Sequence, residues 1–268
     1  MSEESPWEGR GPGAGVKISF GFLLLLTVVA AFFAVRSAVH GDVVGVLAAG
    51  GGAVVLGHVV GFFVNGWWRP RRTVRLPRPA DGAVVFRYSG WTYYWTGSFL
   101  VLMILALLLF CAGFLRTGDT TGIVAALVAF AAAALFVLVL IRMFFGGRGW
   151  LRLTPTGLEH HGPGFTHRLA WDSVSDVGAA TVDNGTPLII VLPTASTSVD
   201  VTFTSPAIVG RQRVYLLPSM AVRGMWLVDD PLVVYHTLWH YHANPDHRCE
   251  LGTEEALQRI EQRRFFLR

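Results

Sequence analysis

Histidines are the residues in this chain whose spacing most readily suggests chemistry. His236 and His240 stand four apart, and His242 and His247 follow. On a helix the i, i+4 spacing puts two imidazoles on one face, as a zinc site requires. The stretch reads His-Thr-Leu-Trp-His, without the glutamate a metalloprotease places after its first histidine. Surface or partly buried histidines are the better reading, and no metal or other cofactor is expected. A second group lies at His160, His161 and His167, around Gly162-Pro163-Gly164-Phe165. If that segment is a hairpin tip, His160 lies opposite His167 with Arg168 adjacent. Such a cluster can sense pH or hold an anion, and an exposed Phe165 can touch lipid. The plainer alternative is an ordinary polar strand face.

Nucleophilic chemistry finds no support. The chain has no Gly-x-Ser-x-Gly elbow, phosphate-binding loop or dinucleotide fingerprint. Asp172, Asp176, Asp183 and Asp200 are scattered, and Cys249 beside His247 and Arg248 is only a sequence neighbour. The expectation is a protein that is not an enzyme.

Two further features sit among apolar residues. His58 lies within a long apolar run, and Gly57 and Gly61 flank it in a small-xxx-small element. An ionisable group inside a membrane is a candidate for function. No acid, lysine or arginine accompanies it there, so a neutral, hydrogen-bonded imidazole is favoured over a transporter or channel role. The two glycines suit close helix packing, within the chain or across a homo-oligomer. Beyond them, Arg69, Arg71, Arg72, Arg75 and Arg78 occur in a stretch without any acid, interrupted by Pro70, Pro77 and Pro79. Prolines there predict an extended path. Cations beside a membrane attract anionic lipid at roughly 1 kcal/mol each. With no nucleic-acid-binding motif nearby, lipid is the expected partner of these five arginines and nucleic acid is not.

The elements that must position these residues follow from composition. Of 268 residues, 52% are hydrophobic and only 15% charged, against about 25% charged in soluble domains. Mean hydropathy is +0.48. Residues 18–35, 43–64, 94–115 and 122–141 are long apolar runs without Asp, Glu, Lys or Arg. Four transmembrane helices are predicted. Glu3, Glu4 and Glu8 precede the first run where a signal peptide carries basic residues, so an uncleaved anchor is expected. Arg10, Lys17, Arg69, Arg71, Arg72, Arg75, Arg78, Arg87, Arg142, Arg148 and Arg152 fall on one side, and only Arg36 and Arg116 on the other. This bias predicts a multi-pass plasma-membrane protein with both termini in the cytoplasm. Trp67, Trp68, Trp91, Tyr93, Tyr94 and Trp95 suit an interfacial aromatic belt. Cys111 and Cys249 fall in different compartments on this reading, so no disulfide is expected.

After Gly146-Gly147 the character changes to short strands and turns. Strands are predicted at 150–154, 158–161, 166–171, 174–182 and 188–192. Alternating Val199, Val201 and Phe203 form another, and 214–217 a weaker seventh. Asp229 or Asp230 can cap a helix that Asn244-Pro245 ends, with Val234, Leu238 and Tyr241 on its buried face. A last helix, from Glu254 to about Phe265, reads as a surface or partner helix.

Strands followed by a helix are the order of a pleckstrin-homology-like (PH-like) barrel. Trp150-Leu-Arg-Leu-Thr-Pro-Thr-Gly-Leu158, with Arg168-Leu-Ala-Trp-Asp-Ser-Val-Ser-Asp-Val177, resembles the opening of bacterial PH-like domains attached to small polytopic membrane proteins. Tyr241-His-Ala-Asn-Pro-Asp-His-Arg-Cys-Glu-Leu-Gly-Thr253 looks like a tail of such proteins. The resemblance spans roughly residues 148–253. It implies an interaction or assembly module. The phosphoinositide site of eukaryotic relatives does not carry over, because the turn Thr154-Pro155-Thr156-Gly157 holds no cation.

The expected architecture is therefore membrane α-helical plus an α+β cytoplasmic domain, a PH-like β-barrel of about seven strands closed by a C-terminal helix. Residues 1–17 form a flexible cytoplasmic N-terminus, 18–145 the four-helix membrane domain with a basic loop at 65–92, 148–244 the PH-like domain, and 245–268 a helical tail. The expected role is a scaffold or accessory subunit that docks a protein partner, anionic lipid, or both. The alternatives are a transporter or channel component using His58, and, more remotely, a metal-dependent enzyme using His236 and His240.

Overall fold

A computed structural model describes residues 6–7, 13–67, 78–80, 82–182, 185–195, 200–203 and 218–265. The chain divides into two compact units, one of 14–68 with 91–145 and one of 1–13, 69–90 and 146–268.

The first unit is helical. Helices α1 (Ala14–Val39), α2 (Val43–Trp67), α3 (Gly90–Leu115) and α4 (Thr120–Phe145) contain 25 or 26 residues each. At about 1.5 Å per residue each exceeds the roughly 30 Å hydrocarbon thickness of a bilayer. All four are long and apolar enough to cross a membrane. They run a few residues beyond the predicted apolar runs because a helix continues through the interfacial residues that flank its apolar core. Two tight turns join them, and each following helix is capped by an aspartate. Asp42 Oδ1 accepts from the Gly45 amide, and Asp119 Oδ1 from that of Gly122, both at 3.0 Å.

Small residues make the helix contacts. A β-carbon built on Gly50 would meet Ala34 Cβ at 3.9 Å, and one on Gly57 would meet Thr27 Cγ2 at 3.8 Å. Both partners lie on α1, and the seven-residue spacing is the same on each helix. On α4, Ala126, Ala129 and Ala133 form the buried stripe, while Ala131 and Ala134 face outward.

The second unit holds two antiparallel sheets. The strands are β1 (Arg78–Ala80), β2 (Ala83–Arg87), β3 (Trp150–Leu153), β4 (Gly157–Gly162), β5 (Phe165–Ala170), β6 (Val174–Thr181), β7 (Pro187–Pro193), β8 (Asp200–Phe203) and β9 (Met220–Arg223). One sheet has the order β1-β2-β3-β4-β5-β8 and the other β6-β7-β9. They do not form the closed barrel that the strand order led us to expect. The stretch 78–87, read from the sequence as part of an extended basic loop, supplies two of the strands. β2 pairs with β3 through Phe86↔Leu151 and its neighbours. The reason lies in alternation: Val84 and Phe86 are fully buried while Arg87 is exposed. The candidate strand at 214–217 lies outside the described residues.

Helix α5 (Pro231–Ala243) packs on β6 and β7. Asp230 caps it by accepting from the Leu232 amide at 3.0 Å, and Val234, Leu238 and Tyr241 are fully buried as expected. Helix α6 (Glu254–Glu261) is not a free surface helix. Ala256, Leu257 and Ile260 are buried, and it packs on β1 and on the 3-10 turn Pro245–Glu250. Gly252, at φ +93°, touches the backbone of Gly82 in the β1–β2 turn, where no side chain fits.

Candidate functional site

The β4–β5 hairpin turns through Pro163-Gly164, with Gly164 at φ +86° as a type II turn demands. Its register places His160 opposite His167 and His161 opposite Thr166, as predicted. The environment differs from the prediction. His160 and His167 are both buried, in an inward row that runs Phe86, Leu151, His160, His167, Val201 across five strands. His160 Nε2 lies 2.5 Å from the Tyr88 hydroxyl. Phe165 is not an exposed tip, for its ring is buried edge-on against His160 at 5.1 Å.

Arg168 does not join the histidine pair. Strand residues alternate faces, so Arg168 points outward into a second row, Val85, Arg152, Glu159, Arg168, Asp200. There it donates to Glu159 at 2.8 Å and lies 3.9 Å from Asp200. His161, also outward, stacks on Trp150 and lies 3.0 Å from the Gly146 carbonyl through Nε2. A carbonyl only accepts, so Nε2 carries the proton, and Nδ1 accepts from Thr166 Oγ1 at 2.9 Å.

The second histidine group is buried too. His236 and His240 were expected at or near the surface, but they are 5% and 0% exposed. Phe265 lies over both rings, at 5.8 and 6.1 Å. His240 Nε2 faces His247 Nδ1 at 3.1 Å, so a proton on one ring nitrogen joins the pair. No group of three metal-ligating side chains occurs among the described residues. Both cysteines are free thiols.

Below this pair lies a network that sequence reasoning missed. Glu250, 8% exposed, accepts from Arg259 Nε and Nη2 and from the Tyr241 hydroxyl, at 2.5, 3.0 and 2.8 Å. Burial pushes the Glu250 carboxyl up, but the hydrogen bonds from Arg259 and Tyr241 outweigh it and leave the group below the usual carboxylate range. The same pairing raises Arg259, and burial followed by the Glu250 contact raises the Tyr241 phenol. Arg248 donates to the Tyr241 carbonyl at 2.8 Å and lies over the Trp171 ring at 5.2 Å.

In the helical unit His58 Nδ1 donates to the Val54 carbonyl one turn back, at 2.9 Å, and its ring meets Trp95 edge-on at 5.4 Å. Trp95 also occupies the space a side chain on Gly61 would need. Gly57 and Gly61 thus serve two different neighbours, α1 and α3. Asn65 is buried and donates to Thr92 at 3.3 Å. Of the aromatic belt, Trp91 and Tyr94 are exposed and stacked at 5.2 Å, while Tyr93 is buried. Arg69, Arg71, Arg72 and Arg75 lie outside the described residues; Arg78 begins β1.

Trp7 departs from the expected flexible N-terminus. It is 8% exposed, donates its indole N–H to the Ala180 carbonyl of β6 at 2.7 Å, and meets Tyr235 of α5 edge-on at 5.7 Å. Burial, and behind it the Asp176 carboxylate of β6, raise the Tyr235 phenol. A lone tryptophan among acidic and glycine residues was the only sequence signal for this contact.

Four membrane-length apolar helices and a separate domain of two sheets define the class: a membrane protein carrying a folded sheet domain. Comparison with protein-family models, with curated proteins and with solved structures found no match.

Proposed function

We propose that the chain is a non-enzymatic integral membrane protein that presents a PH-like sheet domain to the cytoplasm. There it acts as a scaffold or accessory subunit, docking a protein partner and anionic lipid. One observation carries the reading. Trp7, residues 78–90 and residues 146–265 belong to one compact unit, although α1–α2 and α3–α4 separate them in sequence. That shared membership supports a topology of two hairpins of two spans each, with these segments on one side of the membrane. The arginine bias assigns that side to the cytoplasm. In this reading the acid-free run of arginines from Arg69 to Arg78 supplies the attraction for anionic headgroups.

His58 supports a packing role rather than a transport path, since its Nδ1–H is spent on its own helix and its ring packs against Trp95 in an edge-type contact. The buried contacts of His236 and His240 support a structural role for them too.

The test is purification of the full chain from native membranes in mild detergent, with co-purifying protein and lipid quantified. We expect a stoichiometric protein partner and enrichment of anionic over zwitterionic lipid. Replacing Arg69, Arg71, Arg72, Arg75 and Arg78 by glutamine should abolish the lipid enrichment. Recovery of neither partner nor anionic lipid would defeat the proposal.

A further inference from the structure

The outward face of the larger sheet carries two rows. One holds Val85, Arg152, Glu159, Arg168 and Asp200, and Arg168 engages both of its acids. The other runs Arg87, Trp150, His161, Thr166 and contains no acid. The β2–β3 pairing continues one step past this row, where the Tyr88 amide donates to the Gly149 carbonyl at 2.8 Å. The Tyr88 ring fills the space a side chain on Gly149 would need. Alternation then returns Arg148 to the face of Trp150. Arg87 and Arg148 are both exposed.

Charge pairing divides the arginines of this unit. Arg168, Arg248 and Arg259 each meet a carboxylate, whereas Arg87 and Arg148 form no ion pair among the described residues. Arg148 instead lies over Gly90, the first residue of α3, where a β-carbon would come within 3.1 Å of its guanidinium carbon. No acid stands in the first turn of α3. A helix N-terminus carries partial positive charge, so the guanidinium adds to that charge instead of neutralising it. Connectivity indicates what meets this potential. Arg87 stands three residues before α3 and Arg148 three after α4. A chain covers at most about 3.6 Å per residue, so each lies within roughly 11 Å of the end of a membrane-length helix. Trp150, stacked on His161 at 5.5 Å, is an aromatic of the kind that sits at the headgroup layer.

We propose that Arg87 and Arg148, flanking Trp150, form a site on the sheet unit that takes the phosphate of an anionic lipid headgroup. Guanidinium forks match phosphate oxygens in geometry as well as charge. This deepens the anionic-lipid reading and rests on it, by adding a site on paired strands to the arginine run at 69–78. Two cations beside a membrane contribute about thirtyfold in affinity. A site of that strength exchanges its lipid during detergent purification, so it is read in a bilayer.

The test is hydrogen–deuterium exchange of the full chain in nanodiscs of phosphatidylcholine, alone or with increasing phosphatidylglycerol. Wild type should exchange more slowly at 85–89 and 146–150 as phosphatidylglycerol is added. Arg87→Gln/Arg148→Gln should show no such protection, because an affinity loss of about thirtyfold puts half-saturation beyond any attainable lipid fraction. Arg87→Lys/Arg148→Lys, which keeps the charge, should retain most of it. No protection in wild type, or equal protection in wild type and the glutamine pair, overturns the inference. If the glutamine pair does not fold, a salt series on wild type decides. Protection that persists at about 1 M salt, where charges are screened within about 3 Å, overturns it. Replacing Arg69, Arg71, Arg72, Arg75 and Arg78 by glutamine should leave this local protection in place. If that variant loses it while the Arg87/Arg148 glutamine pair keeps it, the inference falls and the arginine run remains the lipid contact. Local protection in a chain that recovers neither partner nor anionic lipid from native membranes leaves the site standing and removes the scaffold reading.

Discussion

The helical unit and the sheet unit sort their side chains in opposite directions. In the helices the large apolar residues are outside, with Leu109 at 75% and Val128 at 65% exposure, while Ala126, Ala129 and Ala133 are inside. In the sheets Phe86, Leu151 and Ile189 are fully buried, and Arg168 and Asp172 face out. The difference teaches what surrounds each unit. A sheet domain in water gains from removing apolar area from solvent. A bundle in lipid gains nothing that way, so its contacts come from close packing of small residues. Polar groups follow the same division. The sheet unit buries Glu250 with an arginine and a tyrosine arranged to receive it. In the helical unit Thr27 and His58 bond the carbonyls four residues back on their own helices, and Asn65 reaches Thr92 on another helix.

The largest expected effect breaks the comparison if it fails. Phe86→Ala should cost about 3–5 kcal/mol of sheet-domain stability through the cavity it leaves. Leu109→Ala should stay within about 0.5 kcal/mol, both read by denaturant titration of the purified chain. A loss at Phe86 no greater than at Leu109 would show that β2 does not belong to the core.

Next is the buried carboxylate. Arg259→Ala leaves Glu250 without its charged donor and should cost about 1.5–3 kcal/mol at neutral pH. Glu250 is held below its unfolded-state value, so its contribution is full above the unfolded pKa of about 4.3. It is lost as pH falls through the lower, folded value. Wild type should therefore converge on Arg259→Ala in melting temperature below about pH 4. A constant gap between the two across the acid range would refute the linkage.

A third pair of substitutions sharpens the packing side. Gly61→Ala must displace the Trp95 ring, at a cost of about 1–3 kcal/mol. Gly57→Ala adds only an ordinary contact to Thr27 and should change thermal stability in detergent little. Equal effects at the two glycines would mean that Trp95 does not sit on Gly61. The smallest effect belongs to the outward ladder. Arg168→Ala should cost about 0.2–1 kcal/mol, and the loss should shrink as salt is added, because the guanidinium is 59% exposed.

The hairpin register at His160 and His167 was legible because turn chemistry at Pro163-Gly164 sets it locally. So were the α5 cap at Asp230, its end at Asn244 and its buried face. The opposite fates of His160 and Arg168 follow from period-two alternation, but which face of the strand turns inward is decided by what packs on it. Phe165 reads as a tip residue in sequence, and only its contact with His160 reveals that it is core. The β1–β2 pair was missed because three prolines and a run of arginines dominate residues 69–79, masking the alternation that begins at Ala83. The Glu250–Arg259 pair joins a 3-10 turn to α6, and no spacing rule links an acid and a base nine residues apart across such a break.

By itself the sequence determined four membrane-length helices and most strands after Gly146. These are properties of runs and periods, and solvent imposes them residue by residue. Tertiary structure alone decided that residues 78–87 complete a sheet whose other strands lie beyond two helices. It also decided that Trp7 lies on β6, that Phe265 covers two histidines, and that the sheets remain open. Those outcomes depend on which surfaces meet across long stretches of chain, and the energy of such meetings resides in shape and burial that local patterns do not carry.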